Sequence, residues 1–260
     1  MITNIGFDVV VMSDLHLGMN DSKPKKILNF LNSIKTKTLI LNGDIIDIDA
    51  INRGSKLKSN HMKVVMKIIE LAKEIEVIYV RGNHDDSVRE LFDLNILNIK
   101  FVDYYIFTHN NLKHLVFHGD VIDISTKWKF LTQIGSVGYD IALRLNSIYN
   151  RYREWRKKPY LSISKIIKEN FKEVISFINN FEKNAVNYAK SKGCDVAICG
   201  HIHIPKITSI DNVIYLNSGD WVENFTALTL RGEDGWQIYK FEQESFSPST
   251  LQNIPIMNNT

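Results

Sequence analysis

Cysteine is scarce in this chain of 260 residues, which carries only Cys194 and Cys199. Two cysteines five residues apart, flanking an expected strand, make neither a disulfide framework nor a zinc knuckle, and they fit a reducing compartment. Also missing is any apolar stretch long enough to span a bilayer. The start, Met1 to Gly18, has no basic segment before its apolar run, and that run ends in Asp14 and His16 rather than a small-residue cleavage site. The expectation is a cytoplasmic protein that is free to lie on a membrane surface. There is no internal repeat. With 44% hydrophobic and 23% charged residues the composition excludes a largely disordered chain. Only from Glu244 onward, where Ser, Pro, Asn and Gln dominate, is a frayed tail expected. The length suits one large core domain with an excursion.

What the chain does have is a series of apolar runs that each stop at a short polar motif. Leu39 to Leu41 stop at Asn42-Gly43-Asp44, with Asp47 three residues further on. A short apolar run flanked by turn residues reads as a buried strand, and Gly43 lets the backbone turn just before the carboxylate. Phe7 to Met12 reads as a first strand running into Ser13-Asp14-Leu15-His16, whose carboxylate and imidazole can aim at one point. Carboxylate oxygen with imidazole nitrogen suits a borderline divalent ion such as manganese, iron or zinc. Between these strands, residues 24–35 carry Ile27, Leu28, Leu31 and Ile34 at helical spacing, which makes a βαβ unit. A second helical pattern runs through Met62, Val65, Met66, Ile69 and Leu71, its methionines read as core filler. Glu76 to Val80 then delivers Arg81-Gly82-Asn83-His84-Asp85.

Further on, Phe101 to Phe107 and Leu112 to Phe117 read as paired strands around Asn110-Asn111, the second ending in His118-Gly119-Asp120. His109 and His114 lie outside every motif and are expected at the surface or in a turn. From Asp123 to about Lys192 two helical patterns replace the strands, one through Trp128, Leu131, Ile134 and Ile141, the other from Ile163 to Ile178. Residues 151–192 hold 11 Lys and Arg against 4 Glu, a net of +7 where the whole chain is +3. Such an excess can serve an anionic ligand or membrane surface, and a solvated helical face has the same composition. Asp195 to Cys199 returns to a strand and delivers Gly200-His201-Ile202-His203, whose histidines point the same way if the extended geometry continues. Hairpins turning at Asp211-Asn212 and near Gly232 to Gly235 follow. The domain reading is a core of residues 1–122 and 193–243, a helical insertion at 123–192 and a tail at 244–260.

The ordered set Asp-x-His, Gly-Asp-x-x-Asp, Gly-Asn-His-Asp, His-Gly-Asp and Gly-His-x-His resembles the calcineurin-like metallophosphoesterases and covers residues 14 to 203. That resemblance implies an α/β (α+β) fold, a four-layer α-β-β-α sandwich of two mixed sheets with helices outside and a helical lid inserted. It also implies two divalent ions. Asp14, His16, Asp44 and His203 would hold the first and Asp44, Asn83, His118 and His201 the second, with Asp44 as the bridge. Manganese is the implied ion, and iron, zinc and magnesium are compatible. Phosphate-ester hydrolysis needs an anionic nucleophile at an already anionic phosphorus, and two cations about 3.5–4 Å apart activate water and neutralise the developing charge. By the same resemblance His84 would contact the phosphoryl oxygen or protonate the leaving group, with Asp85 orienting it and Arg81 binding substrate. Asp47 and Asp120 would accept hydrogen bonds that fix the ligands.

Within the family, His118 to Asp120, Asn146, Arg151, Ser162 to Lys172, Phe181-Glu182, Gly200 to Pro205 and Asn217 to Trp221 resemble the UDP-2,3-diacylglucosamine hydrolase branch. Those enzymes cleave the pyrophosphate of a lipid A precursor, giving UMP and 2,3-diacylglucosamine 1-phosphate. They usually carry arginine where this chain has His84. By looser analogy Asp123, Ser164, Lys165 and Lys168 would contact the substrate from the lid. Two other readings stand beside this one: a metal-dependent phosphodiesterase or pyrophosphatase acting on another nucleotide or phospholipid ester, and a metal-bound scaffold without catalysis. The expected partners are a small-molecule or glycolipid phosphate ester and, through the basic insertion, an anionic membrane reached as a peripheral protein of the inner membrane. Nucleic acid is not expected.

Overall fold

The computed structural model describes residues 5–91, 94, 96–122 and 163–241, without the side chains of residues 5 and 163–173. Strand β1 is Ile5–Met12, helix α1 Pro24–Ser33, β2 Ile34–Asn42, α2 Ile48–Asn52, α3 Ser59–Leu71, β3 Glu76–Val80 and β4 Ile99–Val102. There follow β5 at Tyr104–His109, β6 at Leu112–Phe117, helix α4 at Ile163–Ser191, β7 at Val196–Cys199 and β8 at Lys206–Ile210. Strands β9, Val213–Asn217, β10, Thr226–Leu230, and β11, Trp236–Lys240, complete the order.

Side-chain alternation along the strands builds two mixed sheets with a core on each side of the first. That sheet has six strands in the order β11-β10-β1-β2-β3-β4, and the second has five, β5-β6-β7-β9-β8. Strands β1, β2 and β3 run parallel, are covered on both faces, and so read as nearly continuous apolar runs. Val9, Val11, Ile40, Ile78 and Val80 pack in one cluster with Val116, Val196, Ile198 and Leu216 of the second sheet. The alternate residues Val10, Met12, Leu39, Leu41, Val77 and Tyr79 pack with Ile27, Phe30 and Leu31 of α1 and Val64 and Ile68 of α3. On the outer side of the second sheet, Tyr188 near the end of α4 meets Phe117 edge-on, with ring centroids 5.0 Å apart. The four layers of the expected α-β-β-α sandwich are therefore present.

By contacts the chain divides into two units, 1–122 with 184–260, and 123–183. The division falls within α4, and its last residues belong with the sheets. The helical run expected through Trp128 to Ile141 and the tail from Glu244 lie outside the described residues.

Four local expectations are corrected. Helix α1 stops at Ser33, and Ile34 and Lys35 already pair with Ile5 and Gly6 as the start of β2. Phe101 to Phe107 is not one strand: Val102 pairs with Val80 in the first sheet and Tyr104 with Phe117 in the second, the chain changing sheets at Asp103. Met62 and Met66 are not core filler, being 42% and 65% exposed. The stripe that α3 buries is His61, Val64 and Ile68, and the two methionines sit about a third of a turn away from it. Finally, His114 is buried. It shares a strand face with Leu112 and Val116, which look into the space between the sheets, and its ring stacks on Phe107 with centroids 4.7 Å apart.

Candidate metal centre

Parallel strands deliver their C-terminal ends to one side, and here the loops that leave those ends are laced together. The amide of Asp14 donates to the Gly43 carbonyl at 3.1 Å and that of His16 to the Asp44 carbonyl at 2.9 Å. Gly200 N donates to the His118 carbonyl at 3.0 Å and Ile48 N to the His84 carbonyl at 3.0 Å. Such close loops require unusual backbone. Asp14, His16, Asp44, His201 and His203 all have positive φ, between 46° and 67°, a conformation that costs a non-glycine residue free energy and gathers at functional sites. The extended geometry expected through Gly200 to His203 therefore does not continue, yet both histidines still reach the cluster. A side chain at Gly43 would run into the His118 ring, and one at Gly82 into the Asp44 carboxylate.

Three groups of side chains offer ligand atoms that all lie within 4.8 Å of one another: Asp14, His16 and His203; His16, Asp44 and His84; and Asp44, His118 and His201. Asp44 Oδ2 lies 3.3 Å from His118 Nε2 and 3.9 Å from His16 Nε2. His203 Nε2 is 3.1 Å from Asp14 Oδ1, and His201 Nδ1 is 3.3 Å from His118 Nε2. Asn83 Oδ1 is buried without a hydrogen-bond donor, which is how a carbonyl oxygen kept for a cation is arranged. Carboxylate and imidazole donors converging in this way fit a divalent ion.

The surroundings orient the rings. His118 donates from Nδ1 to the Asn42 carbonyl at 3.0 Å, which turns Nε2 toward Asp44. His16 donates from Nδ1 to Asp47 at 3.3 Å, leaving Nε2 toward Asp14 and Asp44. These are the bonds that fix tautomer and aim in a metal-binding histidine. Asp47 also caps α2 by accepting from Ala50 N at 2.6 Å, and it lies 3.4 Å from His84 Nδ1. Burial alone would push His118 and His203 below the usual histidine range. The neighbouring charges of Asp44 and Asp14 overcome it and raise them to about 10 and about 9. Burial conversely opposes ionisation of Asp14, Asp44 and Asp47, and the surrounding imidazoles nonetheless hold all three below the usual carboxylate range.

The sequence matches the calcineurin-like phosphoesterase family over residues 7–205. The chain belongs to that family. It is a metal-dependent hydrolase of phosphoric esters. Among solved structures it is similar to Vacuolar Protein Sorting 29 from Cryptosporidium parvum, at 13% identity over 92% of this chain and 94% of that one, with a TM-score of 0.48. An archaeal phosphodiesterase is 16% identical over 90% and 99% of the two chains, TM-score 0.45. YfcE, a phosphoesterase from E. coli, is 16% identical over 86% and 88%, TM-score 0.45. A search of curated proteins found no match.

Three residues of this phosphoesterase do other things than their motifs suggested. Asp85 turns its carboxylate inward, where it accepts from Gly82 N at 2.6 Å, Ile45 N at 2.8 Å and Tyr79 Oη at 2.8 Å. It braces the turn that carries Asn83, and Asp47 and Asp49 are the acids beside His84. Asp120 accepts from Arg81 at 2.6 Å, and its charge also acts on the His118 ring. Arg81 is in turn paired with Asp103 at 2.8 Å and Asp86 at 3.4 Å, with its side chain 12% exposed, so it staples these acids together. Asp123 lies outside the described residues, as do the side chains of Ser164, Lys165 and Lys168.

Two supporting residues escaped the sequence reading. Asp220, fully buried, accepts from the amides of Val222 and Glu223 and from the Asn224 side chain. Asn224 also donates to the His203 carbonyl at 2.9 Å, so the pair clamps the loop of that histidine. The run Asn217 to Trp221 carried their only signal, an acid next to a glycine after an apolar strand.

Proposed function

We propose that the phosphoesterase works through a centre for two divalent ions, with Asp14, His16, Asp44 and His203 around one and Asp44, Asn83, His118 and His201 around the other. The observation that carries this is Asp44, whose carboxylate belongs both to a group with His16 and to one with His118 and His201. Bound there, the ions would supply Lewis acidity and positive charge to a phosphoryl group and an activated water to attack it. The chain's own residues do the rest. Asp47 and the Asn42 carbonyl hold His16 and His118 in the tautomers that present Nε2. His84, beside Asp47 and Asp49 and 5.2 Å from the His16 ring between centroids, would hold a proton at the edge of the cluster for the leaving oxygen.

The substrate we propose is the pyrophosphate of UDP-2,3-diacylglucosamine, cleaved with manganese to UMP and 2,3-diacylglucosamine 1-phosphate. The motifs His118 to Asp120 and Gly200 to Pro205 and the net charge of +7 over residues 151–192 support it. Lys165 and Lys168 are proposed to bind it from the insertion. UMP release by the manganese-loaded protein is the test, with a chromogenic phosphodiester as control. Release far above the control is the expected result. Activity on the control alone would retain the centre and move the substrate to another nucleotide or phospholipid ester.

A further inference from the structure

Helix α3 carries a surface that the hydrolytic site does not use. Beside its buried stripe, Met62, Met66 and Ile69 are 42%, 65% and 39% exposed, and their spacing of four and three residues sets them in one ridge along the helix. Single exposed apolar residues are ordinary; three in line form a patch. The ridge stands in a stretch of net positive charge. From Arg53 to Glu74 the chain has Arg53, Lys56, Lys58, Lys63, Lys67 and Lys73 against Glu70 and Glu74, a net of +4 in a chain of +3. Lys67 pairs with Glu70 at 3.1 Å, while among the described residues Lys56, Lys63 and Lys73 have no acidic partner.

We propose that this face of α3 docks the protein on an anionic lipid surface, the ridge entering the boundary between headgroups and acyl chains and the lysines lying against lipid phosphates. A convex ridge of flexible methionines demands no fixed shape of its partner. Five of the six cations are lysines, point charges that suit a fluid layer of phosphates better than the bidentate carboxylate contacts of a protein interface. An apolar ridge flanked by lysines is the pattern of a helix lying in the plane of an interface. The position also serves the site. Gly18 N donates to His61 Nδ1 at 3.2 Å and Lys58 reaches Asn20 at 3.2 Å, so the start of α3 is fastened to the loop that leaves His16. Docking is independent of the proposed lipid substrate and of the basic insertion, and needs neither to be correct.

The test is sedimentation of the full chain with phosphatidylcholine vesicles, with and without phosphatidylglycerol. Binding is expected only to the vesicles with phosphatidylglycerol. The triple variant Met62→Ser, Met66→Ser, Ile69→Ser and the triple variant Lys56→Glu, Lys63→Glu, Lys73→Glu should each lose roughly tenfold or more in partitioning. Lys35→Glu with Lys37→Glu, on β2 and outside α3, should change it little. Hydrolysis of a soluble chromogenic diester should be equal in all of them, which separates this proposal from the reading of the metal centre. Absence of binding, or binding unchanged in both triple variants, would overturn it. So would an equal loss in the Lys35 and Lys37 control, or a ridge variant whose only effect is to convert a dimer to a monomer on sizing.

Discussion

Asp44 meets two imidazoles with one carboxylate oxygen and accepts from the His84 amide at 2.9 Å with the other. Asp44→Asn retains the size and the amide contact and removes the charge shared by both groups. Hydrolysis is expected to fall by about a thousandfold, with a lower metal content per chain and an unchanged circular dichroism spectrum; near-normal turnover would refute the shared ligand. The carboxylates and imidazoles that converge here were legible in the sequence, because the motifs that carry them follow apolar runs. His114 was not legible, because a period of two says which residues share a face and not which face is covered. Burial lowers this ring to about 4 from an ordinary 6.5. The unfolded chain takes up the proton near 6.5 and the folded one only near 4. The stability due to the neutral buried ring is thus complete above pH 6.5 and is lost as pH falls toward 4, by roughly 3 kcal/mol. The urea midpoint of His114→Gln should accordingly drop less between neutral pH and about pH 4.5 than that of the parent.

At the scale of elements, the change of sheet at Asp103 explains why the third strand's motif carries an arginine. Arg81 follows β3 and ties Asp103, between β4 and β5, to Asp120, after β6. It joins the first sheet's edge strand to the loop of the second sheet that carries His118. Its side chain is mostly buried, so Arg81→Gln leaves Asp120 unpaired in a position 19% exposed and should cost about 2–3 kcal/mol in urea denaturation. Arg89→Gln, half exposed, should cost less than about 1 kcal/mol. If Arg81 were a substrate contact instead, the variant would raise KM with stability unchanged. No sequence pattern announced this staple, since its three acids are separated by up to 34 positions and pair only once the chain has crossed between sheets. The strands β1, β2 and β3, by contrast, were legible throughout, because parallel strands buried on both faces are apolar at every position.

On the scale of the whole molecule, the cluster is where the two sheets meet. Asp14, Asp44 and Asn83 leave strands of the first, and His118, His201 and His203 follow strands of the second. Cations held between them would link the sheets, and buried acids that face one another favour that link. Without a cation, His118 and His203 meet the carboxylate charge by keeping their protons up to about pH 10 and about pH 9. A divalent ion must displace those protons, so loading with manganese near neutral pH should acidify a weakly buffered solution, and affinity should rise with pH until about 9 to 10. Because only the folded chain assembles the ligands, an ion at a hundred times its Kd should add about 2.7 kcal/mol per site. For a chain of this size that is roughly 5–10 °C in Tm, reversed by a chelator. Asp44→Asn should reduce the gain at both sites, whereas Arg81→Gln should lower the starting Tm and leave the gain intact. An equal gain in the parent and Asp44→Asn would mean that the ions bind elsewhere on the molecule.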